Sequence, residues 1–323
     1  MKNPSKAWLI IGLILILLGG LLFVGELALH RWDLNAFGTV KLETGSLEIA
    51  ESFRNISISS DTEEIRFLPG SDGVCRVDYA VMEKRKVSAY VEGDTLTIEL
   101  SDQGTWRDAV SFSFGPVEKP RITVYLPERD YAALSIDEDT GDVFLPGDFA
   151  FESIRFTLDT GDVDCRASSS GPISIETSTG DVRLEALSAG ALALSTDTGR
   201  IELRSVACAG DLNVSVTTGK VILSEVSCEN FSSTGDSGEL RLEQVLVSGL
   251  LSAERSTGDV RLEDCDAGEL LISTDTGDVH GTLLTEKVFL VRSSTGEIHV
   301  PETVSGGKCK ITTSTGDIHI EIG

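Results

Sequence analysis

The chain has 323 residues, 41% of them apolar and 24% charged, enough for one large domain or two smaller ones. Fifty-two acidic residues against 27 basic ones give a net charge of −25. That excludes nucleic acid and anionic lipid headgroups as the main partner, since both call for clustered positive charge.

From Ala7 to Gly25 no residue is charged, and Leu9–Leu18 is apolar apart from Gly12. At ~1.5 Å per residue a helix here spans roughly the ~30 Å hydrocarbon core of a bilayer. Lys2 and Lys6 precede it, Glu26 follows, and Trp8 and Trp32 flank it. The positive-inside rule then predicts a cytoplasmic stretch at 1–6, a transmembrane signal anchor at 7–25, a linker at 26–38, and everything beyond outside the membrane. A cleaved signal peptide stays open as the alternative, although its apolar core usually runs only about 7–15 residues. Either one predicts export.

Residues 39–133 alternate apolar and polar in runs such as Ile56-Ser57-Ile58, Thr95–Leu100 and Arg121–Leu126, with glycine turns at Gly70–Gly73 and Gly93-Asp94. The period of two predicts β-structure that caps the N-terminal end of a larger β region.

From 134 to 323 the chain repeats. A Thr-Gly or Ser-Gly pair recurs with glycine at Gly141, Gly161, Gly180, Gly199, Gly219, Gly238, Gly258, Gly277, Gly296 and Gly316, at intervals of 19 or 20. Apolar residues alternate on both sides of each pair, as in Leu192/Leu194 and then Ile201/Leu203. Nineteen residues cannot bury their own apolar face, so neighbouring copies must stack. The expected fold is all-β: a repetitive, β-helix-like β-solenoid of about ten coils of 19–20 residues, each ~4.8 Å above the last. A leucine-rich horseshoe would need an asparagine column, and the repeats hold only Asn213 and Asn230. Two outward columns fix the register, because Asp164, Arg183 and Glu202 alternate in sign, as do Arg166, Glu185 and Arg204.

In their order, Ile65–Gly70, Gly93–Ile98, Ile122–Pro127 and the repeated Ser/Asp-Thr-Gly-Asp-Val resemble the toast-rack family of β-strand-repeat proteins from the bacterial envelope, for which adhesin is a label of convenience. The resemblance spans 40–323. It implies an envelope protein with a repetitive β fold and supplies no catalytic residue.

Three of the four histidines, His280, His299 and His319, lie three places after the glycines of the last three repeats, with Asp278, Glu297 and Asp317 two residues before them. Stacking in chain order would set the imidazoles about 5 Å apart on one face. Imidazole beside carboxylate suits zinc or another transition metal, or a pH sensor, whereas plain repeat duplication would produce the same column. The pairs Asp139/Asp142, Asp159/Asp162 and Asp275/Asp278 offer oxygens for calcium, although ordinary turn chemistry accounts for them. No cofactor is implied. Cys208 and Cys228 fall at one position of adjacent coils, close enough for a disulfide. The even repeat intervals leave no inserted loop to build a cleft, so an enzyme acting on envelope polysaccharide is the weakest expectation. The function expected is binding or scaffolding outside the cell, toward an envelope protein or glycan and not nucleic acid. A cation- or pH-responsive module is the alternative. The strand Ile318/Ile320/Ile322, as the last coil, is expected to be an open edge for end-to-end self-association.

Overall fold

The computed structural model describes Gly12, 15–21, 23–25, Ala28, 42–70, 73–102 and 119–323. Gly12, 15–21, 23–25 and Ala28 are helical, and the rest of the segment 7–25, like most of the linker, lies outside the described residues. Among the described residues no helix is long and apolar enough to cross a membrane.

The remainder is a β-solenoid of about nine turns, the number that ten corner glycines delimit. One coil reads Pro172–Thr179, a Gly180-Asp181 corner, Val182–Glu185, a corner at Ala186, Ser188–Ala189, and a corner at Gly190. Neighbouring coils pair in parallel, with Leu192 opposite Leu212, Gly199 opposite Gly219 and Ile201 opposite Val221, and the register shifts only between Val247 and Leu250 and between Leu262 and Cys265 among the described residues. Inward positions form apolar columns. The residue two places after the corner glycine is at most 1% exposed in nine of ten coils, from Val143 to Ile318.

The corners explain the repeat. Nine of the corner glycines have φ between 136° and 155°, which favours glycine. The second corner is left-handed without glycine, at Ala186, Ser205, Glu225, Gln244 and Asp264.

At the N-terminal end the stack leaves chain order. The coil Asn55–Ser60 with Glu64–Pro69 lies directly against the first repeat, Ile56 opposite Leu134 and Ile65 opposite Val143. On its far side it pairs with Thr95–Asp102 and Arg121–Leu126. Antiparallel strands then close this end: Cys75–Met82 pairs with Leu42–Ile49 and with Arg121–Leu126, and Arg85–Glu92 pairs with Thr95–Asp102.

The C-terminal end corrects two expectations. The final coil, Gly307–Thr315 with Ile318–Ile322, is not outermost. It is inserted between the coil holding Leu270 and Val279 and the coil Lys287–Thr295 with Ile298–His299. Hydroxyls report the same order, since Thr313 donates to the Gly277 carbonyl and Ser293 to the Gly316 carbonyl. The Ile318–Ile322 strand is therefore interior, and the open edge belongs to Lys287–Thr295 and Ile298–His299. Physically, every coil offers the same ladder, so a strand later in the chain can fill a slot that an earlier one leaves vacant.

Candidate functional site

The side of the solenoid after the Thr-Gly corner carries three outward columns rich in charge. Its first column, one place after the glycine, is a ladder of carboxylates bonded to backbone. Asp142 Oδ1 accepts the amide of Asp162 at 3.0 Å, Asp162 Oδ1 that of Asp181 at 2.7 Å, and Asp181 Oδ1 that of Arg200 at 2.8 Å. The ladder resumes from Asp259 to Asp278, Asp278 to Asp317 and Asp317 to Glu297. Each aspartate thus receives the corner amide of the next coil, a charge-assisted bond with a structural purpose. Of these, spacing alone offers Asp142, Asp162 and Asp278 as calcium ligands and does not reveal the ladder. The recurring Thr-Gly-Asp order was its signal.

The next two columns pair as their signs predict. Arg166 lies 3.2 Å from Glu185, and Arg183 3.0 Å from Glu202. Glu202, only 5% exposed, is also bonded by Arg204. Burial pushes its carboxyl up, but the hydrogen bonds from the two arginines outweigh that and hold its pKa below the usual value. A groove of about 350 Å³ crosses these first coils, lined by Arg66, Asp142, Phe144, Asp162, Arg183 and Arg200 among others. The Arg66 guanidinium lies 5.8 Å from the centre of the Phe144 ring.

The histidines stand together, but in the order His280, His319, His299 rather than in chain order. The His319 and His299 rings are 5.8 Å apart, centre to centre. His280 Nε2 lies 3.5 Å from Asp278, and His319 Nε2 lies 3.1 Å from Glu321, a partner that the sequence did not single out. Asp278 and Asp317 each spend one oxygen on the ladder, and Glu297 gives it an amide. Among the described residues no group of three His, Cys, Asp or Glu is placed to hold one metal ion. All six cysteines, Cys208 and Cys228 included, are buried free thiols.

A second groove is nearly uncharged. Ser174, Ala193, Ser195, Asn213, Ser215 and Thr234 line a shallow groove of about 360 Å³ across four coils, with Glu176 as its one charged residue.

Deeper in the molecule are charged side chains that sequence reasoning missed. Glu63 is 0% exposed, bonded by Ser60 and by Arg85 at 3.0 Å. Glu138 is 2% exposed, and among the described residues no well-formed hydrogen bond reaches its carboxyl oxygens, although the Ser60 hydroxyl and the Glu63 backbone lie close enough to lower its pKa in part. Burial, then the charges of Glu63 and Asp61, raise its pKa to about 8. Arg255 is buried with Ser233 and the Glu254 carbonyl as its partners, and burial lowers its pKa to about 10. For Glu138 and Arg255 the signal was a charged residue three places before a corner glycine, where other repeats carry Leu158, Thr177 or Val216.

A family model described as Toastrack DUF4097 matches residues 53–215 and 209–323. A solved structure of a proposed adhesin from Parabacteroides distasonis is 13% identical, with 87% of this chain and 98% of that one covered and a TM-score of 0.47. A proposed adhesin from Parabacteroides merdae is 15% identical over 76% of this chain and 97% of its own, with a TM-score of 0.44. A proposed lipid-binding protein from Parabacteroides distasonis is 14% identical over 88% and 98%, with a TM-score of 0.48. The chain has no match among curated proteins.

Proposed function

Because the chain belongs to the Toastrack DUF4097 family, we propose that it is a non-catalytic, adhesin-like scaffold of the cell envelope. The segment 7–25 anchors it as a single pass in the cell membrane, and the solenoid is extracytoplasmic. There it binds an envelope protein or glycan through its sides. The observation that carries this reading is the regularity of the coils, whose in-register columns make long, flat, laterally repeating faces. The neutral groove around Ser195 and Asn213 suits hydroxyl-rich or amide-rich ligands, which hydrogen bonds recognise without a charge.

The test uses the full chain and a variant lacking 7–25, both expressed in bacteria. The full chain is expected in the membrane fraction, with its solenoid cut or labelled by reagents added outside the cytoplasmic membrane. The shortened chain is expected to be released. A full chain that fractionates as soluble, or whose solenoid stays shielded once the outer layers are opened, overturns the placement. Ser195→Arg with Asn213→Arg is expected to weaken sedimentation with isolated wall glycan at least tenfold. Equal sedimentation would move the contact off this face.

A second reading, a cation- or pH-responsive module, rests on the unbroken His280–His319–His299 stack. Zinc at 100 times its dissociation constant would stabilise the fold by about 2.7 kcal/mol. A rise in melting temperature that disappears when the three histidines become alanine would favour this reading, and an unmoved melt would end it.

A further inference from the structure

The two ends of the solenoid differ. At the N-terminal end the antiparallel strands Cys75–Met82 and Arg85–Glu92 extend the ladder beyond the parallel coils. At the C-terminal end, among the described residues, the outermost coil pairs only inward, Lys287–Thr295 with Gly307–Thr315 and Ile298–His299 with Ile318–Ile322. Ile298 is 41% exposed, although its counterparts in the other nine coils are buried. Phe289 and Val291 are half-buried, while Leu270, Ile272, Cys309 and Ile311 in the two coils beneath are covered. Leu290, on the outer side of the strand, is 53% exposed.

Natural sheets guard such an edge with free lysines, prolines, bulges or very short strands. The longer strand of this edge, Lys287–Thr295, has neither a proline nor a free lysine. Lys287 is folded back, its Nζ 2.6 Å from both Asp266 and Thr285. The strand then runs through Thr295 without a proline, and its register against Gly307–Thr315 is unbroken.

We infer that a second copy of the chain completes this edge, the two solenoids joining end to end about a two-fold axis. Such an axis makes the paired edge strands antiparallel and the contact self-complementary. Pairing centred on Leu290 sets Phe289 against Val291 of the second copy, and Leu290 against its own equivalent. Opposite residues of an antiparallel pair share a face, so core-facing side chains meet core-facing ones. A slip of one residue would set inward positions against outward ones. Charge favours the same arrangement. Each copy carries −25, and an end-on contact brings only the last coils within the ~8 Å screening length.

The test takes the full chain in detergent and compares its sedimentation at micromolar concentration with that of Leu290→Lys. Leu290 points outward, so lysine leaves the core intact, and an unchanged melting temperature verifies this. The natural chain is expected to be a dimer, and L290K to raise the dissociation constant at least tenfold. Under mild oxidation Leu290→Cys is expected to crosslink to its own copy, and Arg292→Cys not to. A monomeric natural chain overturns the proposal. So does a dimer that survives L290K, which would place the contact in the segment 7–25 or on the solenoid's sides. A ladder of higher oligomers overturns it too, because a two-fold contact closes after two copies.

Discussion

A β-carbon added to Gly199 would sit 1.9 Å from the Gly180 carbonyl oxygen, at a φ of 155°. The clash is with backbone, which no rotamer change relieves. Gly199→Ala is therefore expected to cost about 2–4 kcal/mol, read as a lower urea midpoint. An unchanged midpoint would mean that the corner can widen. Glu138 gives a prediction with a pH signature. Its pKa is about 8 in the folded chain against an ordinary 4.5, so between those values the folded state holds a proton that the unfolded state has released. Stability then falls as pH rises from about 4.5 to 8 and levels off above. Glu138→Gln keeps the shape and loses the titration. Its melting temperature is expected to exceed that of the natural chain at about pH 8 and to match it near about pH 4. Parallel curves at every pH would show that the carboxyl reaches water.

At the scale of strands and coils, alignment of columns is the main physical fact, and much of it was legible. Alternating signs at Asp164, Arg183 and Glu202 named the register, and the partners are opposite one another as expected. Inward exceptions were harder to read, because periodicity marks a position as buried without saying how a charge survives there. Arg255 survives beside Gly235, which stands opposite it in the adjacent coil. A β-carbon on that glycine would lie 3.0 Å from Arg255 Nη1. The guanidinium thus fills the space of a missing side chain and finds a hydroxyl and a carbonyl rather than a carboxylate. Replacing buried charge by an apolar group of similar length is often neutral or stabilising by about 1–4 kcal/mol. Arg255→Met is accordingly expected to hold or raise the urea midpoint. A clear fall would show that the bonds to Ser233 and Glu254 outweigh the desolvation. The histidine column was legible as a set, but its internal order was not, since that depends on how the last coils stack.

The order of stacking is a property of the whole molecule, and a repeat of constant length conceals it. Intervals of 19 and 20 continue unchanged through Gly277, Gly296 and Gly316, and any of these coils could follow any other with the glycine column intact. What departs from the pattern is the connection 300–306, with Pro301 before Gly306 and Gly307. It turns the chain back so that Gly307 packs on the Gly268 carbonyl, where a β-carbon would have only 1.9 Å. The inserted coil then has ladder partners on both sides, and the coil preceding it in sequence has them on one. Amide exchange tracks ladder position rather than distance from the terminus, because exchange requires local opening and an edge strand opens at lower cost than an interior one. Amides of Ile311 and Ile320 are therefore expected to exchange at least tenfold more slowly than those of Val291 and Ile298, although Ile320 lies close to the end of the sequence. Faster exchange at Ile311 and Ile320 would place the final coil outermost in solution, in chain order. Measured above and below the dimer's dissociation constant, the same amides separate the two ideas. Protection at Val291 and Ile298 should rise with protein concentration if a second copy covers the edge, while that of Ile311 and Ile320 already reflects partners within the chain.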